Sequence, residues 1–132
     1  MTTTAQREFL AVPRSAVLAT IGPVGRSSQS VVWFRLDGNT VWVSASPGST
    51  KVRHLIANPE CSLLVLGDGS FSYVRVEGTA EVSERVSAAD RLALVGPYVG
   101  VEQAGAWTAS HPLPGLNTKI RITPRRILSY GI

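Results

Sequence analysis

The chain has 132 residues, 44% of them hydrophobic and 17% charged, which fits one folded domain over 1–132 and excludes a disordered polymer. The net charge of +4 is accompanied by no zinc-ligand spacing, no RNA-binding aromatic signature and no dense basic run, so we expect no nucleic-acid partner. The apolar runs are far shorter than a membrane span, and the chain opens on no signal-peptide pattern. We therefore expect a cytoplasmic protein without a membrane partner.

The first predicted element is a short helix around Arg7 to Val12, which Pro13 closes. Strands follow, indicated by β-branched residues, by alternation of apolar and polar side chains and by flanking turns such as Asp37-Gly38-Asn39. They are predicted at residues 16–21, 30–36, 40–46, 61–66, 73–82, 118–122 and 126–130. Helices are predicted at residues 50–57 and 88–95, and a loop-rich stretch at residues 96–115.

Hairpin turns between most neighbouring strands favour an antiparallel sheet over an alternating parallel α/β sheet. We predict a mostly β, α+β domain, an antiparallel barrel of six or seven strands with two or three short helices attached. Closure of the barrel should remove exposed strand edges. Trp33 and Trp42 are expected to pack together in the core or in a dimer face. Arg75 and Glu77 are expected to form a solvated charge pair on the wet face of their strand.

The segment from Thr40 to Pro59 carries the strongest functional signal. It runs from an alternating strand through a Ser- and Gly-rich turn into a short helix, with Lys51 and Arg53 in the opening turns. A helix N-terminus favours anions, so cations there raise the local free energy unless an anion binds. A phosphate or carboxylate would be held by these cations and by the hydroxyls of Ser44, Ser46, Ser49 and Thr50. The residues alone leave an equal alternative, an exposed helix start whose basic side chains lie in water.

No pattern in the chain indicates acid–base or metal catalysis. His54 lies within the short helix as an expected surface or interface residue, and His111 precedes Pro112 without a neighbouring carboxylate, so neither forms a metal or triad signature. Cys61, the only cysteine of the sequence, is expected to be a buried reduced thiol. Trp107 lies in the loop-rich stretch, where it would either cover a pocket or anchor the loop.

Several short sequence words occur in a characteristic order: V-L-A-T-I at 17–21, G-R-S-S-Q-S-V-V-W-F at 25–34, V-S-A-S-P-G-S-T-K-V-R-H-L at 43–55, N-P at 58–59 and Y-V-R-V-E-G-T-A-E-V at 73–82. Together they resemble the pyridoxamine 5'-phosphate oxidase-like split-barrel superfamily, and most closely its small members that use the deazaflavin coenzyme F420. The resemblance covers about residues 8–130. It implies a split barrel of the FMN-binding type and a homodimer that binds two cofactors in grooves along its interface.

The resemblance also implies which residues line each groove. Lys51 would bind the cofactor phosphate, and the late strand near residue 120 would come from the partner subunit. The implied cofactor-binding set is Ser28, Ser30, Val32, Ser44, Ala45, Ser46, Ser49, Thr50, Lys51, Arg53, Phe71, Tyr73, Lys119 and Arg121. Phe71 and Tyr73 would border the ring site. Gln29 stands one place later than the glutamine of many relatives, so it should point to the opposite face of its strand.

The chemistry implied by the resemblance is hydride transfer between reduced F420 and a small conjugated acceptor, with no catalytic side chain and no metal. The cations Arg53, Lys119 and Arg121 would suit the polyglutamate tail of F420. Two alternatives stay open, an FMN-dependent oxidoreductase of the same superfamily and a non-catalytic protein that binds the cofactor or haem. The small-molecule substrate is not specified by the sequence.

Overall fold

A computed structural model describes residues 2–69, 71–111 and 118–132, and this part of the chain forms seven strands and four helices. All strand pairs are antiparallel, and the sheet has the order β2-β1-β5-β6-β7-β4-β3. The elements in chain order are α1 Thr4–Leu10, β1 Ala16–Ile21, β2 Ser27–Val32, β3 Phe34–Asp37, β4 Thr40–Ala45, α2 Thr50–Ala57, β5 Glu60–Leu66, β6 Tyr73–Arg85, α3 Ala88–Val99, α4 Val101–Ser110 and β7 Thr118–Tyr130.

The α+β class and the split-barrel arrangement are confirmed, but the expected closure of the barrel is wrong. Strands β2 and β3 are the two edges of the sheet, and the described residues contain no ladder between them. The chain leaves the sheet at Trp33, which splits the single strand predicted at residues 30–36 into β2 and β3. Edge strand β3 is only four residues long and carries Arg35 and Asp37, and short charged edges resist pairing with other chains.

The prediction of a loop-rich stretch at 96–115 is wrong for residues 96–110, which belong to α3 and α4. Helix α3 continues through Pro97, which has no N–H to donate to the carbonyl of Ala93. The Arg35 guanidinium donates to that carbonyl instead, at 3.0 Å. Gly100 separates the two helices with a φ of 96°, and the total of four helices exceeds the predicted two or three. The prolines at 112 and 114 lie outside the described residues.

The final two predicted strands, 118–122 and 126–130, form one continuous strand, β7. Its irregular point is Pro124, which lies opposite Gly78 of β6 beside a shift in register. The two backbones approach so closely there that a Cβ on Gly78 would lie 2.1 Å from the carbonyl oxygen of Thr123. Glycine at position 78 therefore lets a proline-containing strand stay paired through a β-bulge.

Two hydrophobic clusters lie on opposite faces of β4. Val41, Val43 and Ala45 point into the main core, and Trp42 on the other face packs with Leu94 of α3. This follows from the two-residue period of a strand, because each face of β4 meets a different apolar layer. Trp33 packs against the second cluster, to which Trp42 belongs, whereas the residue directly opposite Trp42 on β3 is Arg35. Helix α3 is thereby held against β4, close to the start of α2.

Tyr98 ties α3 to the break between β2 and β3. Its hydroxyl donates to the carbonyl of Arg14 at 2.8 Å and accepts from the N–H of Phe34 at 3.1 Å. Burial raises the pKa of this hydroxyl, so it stays protonated and able to donate at neutral pH. The Tyr98 ring also stacks on Trp33, with centroids 4.5 Å apart.

We expect Tyr98→Phe to lower the free energy of unfolding by about 1–2 kcal/mol, because the N–H of Phe34 and the carbonyl of Arg14 lose a shared partner. Urea denaturation followed by fluorescence measures this loss. The matched control is Tyr130→Phe, since Tyr130 is 62% exposed, and it should change the free energy by less than about 0.5 kcal/mol. Equal losses in the two variants would contradict the assigned tether.

Candidate functional site

Lys51 lies in the first turn of α2, beside the end of β4. Its Nζ donates to the Ser30 hydroxyl of β2 at 3.1 Å. Among the described residues it forms no ion pair with a carboxylate. The first turn of α2 also contains no acidic residue, although acidic residues are favoured there. The basic start of this helix is therefore not neutralised by the described part of the chain.

A cavity of about 230 Å³ opens beside Lys51. Strands β2 and β4 and helix α2 supply one side, and helices α3 and α4 supply the other. Its described lining residues are Val31, Val32, Trp33, Ser44, Lys51, Arg91, Leu94, Val95 and Trp107. Two of these are cations and none is acidic. Because apolar walls focus the field of such charges, the cavity favours an anionic ligand.

One wall of the cavity is aromatic. The rings of Trp33 and Trp107 lie 5.4 Å apart at 40°, and Tyr98 stacks behind Trp33. His111 stacks on Trp107 with centroids 4.1 Å apart and an interplanar angle of 13°. Tyr98 and His111 are not among the described lining residues, and they hold the rings of Trp33 and Trp107 in place from outside the cavity. Flat apolar surfaces of this kind bind conjugated rings.

The predicted groove residues of β2 and β4 fall on or near this cavity. Val32 and Ser44 line it, and Ser30 binds the Lys51 amine. Ser28 and Ser30 share one face of β2, because they lie opposite Thr20 and Leu18 of β1. Gln29 lies opposite Ala19 on the other face, as predicted.

The turn before α2 contributes less than predicted to the cavity lining. Ala45 is buried in the core, and Ser46 is exposed. The Ser49 hydroxyl accepts from the N–H of Val52 at 3.4 Å, so Ser49 is the N-cap of α2. The exposed Arg53 guanidinium donates to the carbonyl of Gly48 at 2.6 Å and to the Thr50 hydroxyl at 3.3 Å, so both side chains are engaged within the turn.

Within one subunit, Phe71 and Tyr73 are not brought to the Lys51 cavity. They lie at the hairpin between β5 and β6, where Phe71 is 82% exposed and has a φ of 64°. Tyr73 stacks on Tyr130 of β7, with centroids 6.1 Å apart. A role for this pair at the ring site therefore requires a second subunit.

Lys119 and Arg121 are paired with carboxylates of their own chain. The buried Lys119 amine lies 3.2 Å from Asp90 and 3.7 Å from Glu84, and it sits over the ring of Trp42. Arg121 binds Glu84 at 2.8 Å and also reaches Asp37. Hydrogen bonding from the Arg121 guanidinium holds the pKa of Glu84 below its usual range. Within one subunit the charges of both residues are therefore balanced by carboxylates, and their service to a polyglutamate tail stays a prediction.

His54 and Cys61 have structural surroundings. The His54 Nδ1 lies 3.0 Å from the hydroxyl of the buried Thr20, and its ring packs against Gly22, where a Cβ would lie 3.1 Å from Nε2. His54 therefore anchors α2 to β1, which the sequence did not indicate. Burial raises the pKa of the Cys61 thiol to about 11, so it is a poor nucleophile. No cluster of three metal-ligating side chains occurs among the residues described.

Arg91 is a charged lining residue that the sequence did not predict. It follows the Ser87–Asp90 capping box that starts α3, and this motif predicts a helix but not where its side chains point. Trp107, for which a cover or an anchor was expected, contributes to the lining and also stacks within the aromatic wall. Neither residue has a local sequence signal for this role, because both reach the cavity through the packing of α3 and α4.

The fold agrees with the comparisons to known proteins. A family model described as pyridoxamine 5'-phosphate oxidase matches residues 2–131. The chain therefore belongs to the pyridoxamine 5'-phosphate oxidase family.

Solved structures share this fold at low sequence identity. An F420 reductase matches at 24% identity with a TM-score of 0.72, over 92% of this chain and 94% of that chain. A conserved hypothetical protein of Mycobacterium tuberculosis matches at 24% identity with a TM-score of 0.74, over 98% and 85% of the two chains. A haem storage protein of Vibrio cholerae matches at 21% identity with a TM-score of 0.69, over 98% and 95%. At these identities the similarity establishes the fold.

A helix must be both long and apolar to cross a bilayer. None of the helices in the described ranges combines the length and apolar character needed to cross a membrane.

Proposed function

We propose that this protein is an F420-dependent oxidoreductase that transfers a hydride between the reduced deazaflavin and a small conjugated acceptor. The observation that carries the proposal is the cavity in which Lys51, which has no carboxylate partner in the described part of the chain, shares the lining with an aromatic wall that includes Trp33 and Trp107. The family membership and the fold shared with an F420 reductase support the same reaction class.

The donors at the start of α2 suit the phosphate of such a cofactor. Lys51 supplies a positive charge, and Ser30 and Ser44 supply hydroxyls beside it. The free N–H groups of the helix start add a positive dipole end. A phosphate placed there would offset the cost of a basic first turn. FMN also carries a ribityl phosphate, so the same donors leave the FMN-dependent alternative as the second candidate.

The protein's own residues have positioning and shielding roles in this proposal. When bound, the reduced deazaflavin supplies the hydride. Lys51 and the neighbouring hydroxyls would bind the phosphate, while Trp33 and Trp107 would hold an acceptor flat and exclude water from the cavity. His54 and Cys61 take no part, because their surroundings are structural.

We also propose that the protein works as a homodimer whose interface is the outer face of β2, β1, β5, β6 and β7. Val17 of β1 lies directly opposite Val31 of β2 and Leu64 of β5, so apolar side chains run across these three strands, next to Arg75 of β6. Val31 is 72% exposed, Leu66 is 43% exposed, and Tyr130 on the same face is 62% exposed. Covering such a face with a second copy removes apolar surface from water.

The proposed interface reaches the candidate site at Val31, which belongs both to this face and to the lining of the cavity. A second subunit would therefore border the cavity. This arrangement agrees with cofactor grooves along the interface of a dimer, and it gives the hairpin residues Phe71 and Tyr73 a route to the cofactor of the partner.

Titration of purified protein with F420, FMN and haemin tests the proposed cofactor. We expect quenching or a shift of F420 fluorescence, followed by oxidation of reduced F420 in a screen of quinones, nitroaromatics, enones and tetrapyrroles. A stable yellow flavin spectrum would favour the FMN-dependent alternative. A Soret band without F420 binding would favour a haem-binding protein, and F420 binding without turnover of any acceptor would favour a non-catalytic binder.

A further inference from the structure

Arg91 of α3 is half-buried in the cavity wall that the two terminal α-helices provide. Its Nη2 donates to the carbonyl of His111 at the end of α4. The described residues offer its guanidinium no carboxylate partner and no second hydrogen bond. A guanidinium has five N–H donors, so most of this group's capacity is unused.

The two cations of β7 behind the site are neutralised within the chain. Lys119, with only 6% of its surface exposed, is held by Asp90 and Glu84, and Arg121 is held by Glu84 and Asp37. Arg91, like Lys51, has no such carboxylate partner among the described residues. Arg91 is therefore available to an anion that enters the cavity.

The surroundings of Arg91 determine which anion would fit. Leu94, Val95, Trp33 and Trp107 line the same cavity, and these residues bind a conjugated ring better than a flexible hydrophilic glutamate tail. The phosphate of a cofactor is already assigned to Lys51 and the neighbouring serines, on the other side of the cavity from Arg91. A planar carboxylate attached to a ring would match the fork of a guanidinium, and the low-polarity wall would strengthen that contact.

We propose that Arg91 is a specificity-determining residue that selects conjugated acceptors bearing a carboxylate. The acceptor ring would lie on the Trp33 and Trp107 wall, and its carboxylate would accept from the free N–H groups of Arg91. That the ligand is a hydride acceptor rests on the proposed function, whereas the preference for a carboxylate rests only on the cavity.

The test compares 2-naphthoate with 2-naphthamide, which share one ring system and differ in charge. Calorimetric titration of the full-length protein without added coenzyme should show naphthoate binding at least about 10-fold more tightly, because only its carboxylate forms a charge-assisted pair with Arg91. Arg91→Gln keeps a donor for the His111 carbonyl but loses the charge. It should bring the affinity ratio to less than about twofold and leave naphthamide binding nearly unchanged.

Two variants separate Arg91 from other cations. Arg26→Gln is the matched control, since it removes an exposed cation in the turn between β1 and β2, and it should keep the ratio of the parent. Lys51→Ala tests the rival cation of the same cavity, and naphthoate should still be the preferred probe in this variant if Arg91 binds the carboxylate. Equal binding of both probes to the parent, loss of the ratio in Lys51→Ala, or equal weakening of both probes by Arg91→Gln would overturn the proposal. The last result would show a purely structural role at the end of α4.

A titration with F420 distinguishes the carboxylate of an acceptor from those of the cofactor tail. Arg91→Gln should leave F420 affinity within about twofold of the parent. Weaker F420 binding with an unchanged naphthoate preference would assign Arg91 to the tail and overturn the proposal. If the parent failed to bind F420 but kept the naphthoate preference, the proposed function would fail while the selectivity of Arg91 stood.

Discussion

Replacing Lys51 with alanine is expected to weaken F420 binding by about 10- to 100-fold, the loss of one charge-assisted phosphate contact. The Lys51 amine has one described protein partner, the Ser30 hydroxyl. The melting temperature should therefore stay within about 3 °C of the parent, as for most substitutions outside the core. Fluorescence titration of F420 and thermal denaturation measure the two quantities.

Two further variants locate this effect. Lys51→Arg keeps the charge and should regain most of the affinity, whereas Arg85→Ala removes an exposed cation at the end of β6 and should leave F420 binding unchanged. Superimposable titration curves for Lys51→Ala and the parent would remove the phosphate site from the start of α2. The proposed function would then lose the observation that carries it.

Introducing a charge into the exposed sheet face is expected to split the proposed dimer. Leu66→Asp should weaken self-association by more than about 100-fold, because an unpaired carboxylate buried between two subunits costs several kcal/mol. Leu66 is 43% exposed and lies outside the lining of the Lys51 cavity, so the subunit should still fold. Analytical ultracentrifugation over a range of concentrations measures the association, and circular dichroism checks the fold.

The matched control is Val101→Asp, since Val101 is 85% exposed at the start of α4 and away from that face. This variant should associate as the parent does. If Leu66→Asp remained a dimer, the face assigned here would not be the interface. If it became monomeric yet bound F420 as tightly as the parent, the groove would not depend on a second subunit.

Elements with strong local patterns were predicted closely. Strand β1 and helix α2 have the predicted bounds, Ala16–Ile21 and Thr50–Ala57, because alternation, the Ser49 cap and the Asn58-Pro59 stop are all local signals. Prediction failed where distant residues override local preferences. The stretch from residue 96 was predicted as a loop, but α3 continues through Pro97, because a guanidinium from β3 satisfies the carbonyl that proline leaves free. Residues 118–122 and 126–130 were predicted as separate strands, but they form one strand, because Gly78 on the neighbouring strand accommodates Pro124.

The sequence by itself determined the α+β class and most element positions, and it identified the basic helix start at Lys51 as the candidate anion site. Only the tertiary structure decided which cations can meet an anionic ligand. Lys119 and Arg121 are neutralised by carboxylates from other elements, whereas Lys51 and Arg91 share a cavity. The tertiary structure also decided that the sheet stays open and that an aromatic wall lines the same cavity as Lys51. The sequence predicts individual elements because hydrophobic periodicity and helix capping act over a few residues. Ion pairing, stacking and cavity lining depend on strand register and helix packing between residues far apart in the chain.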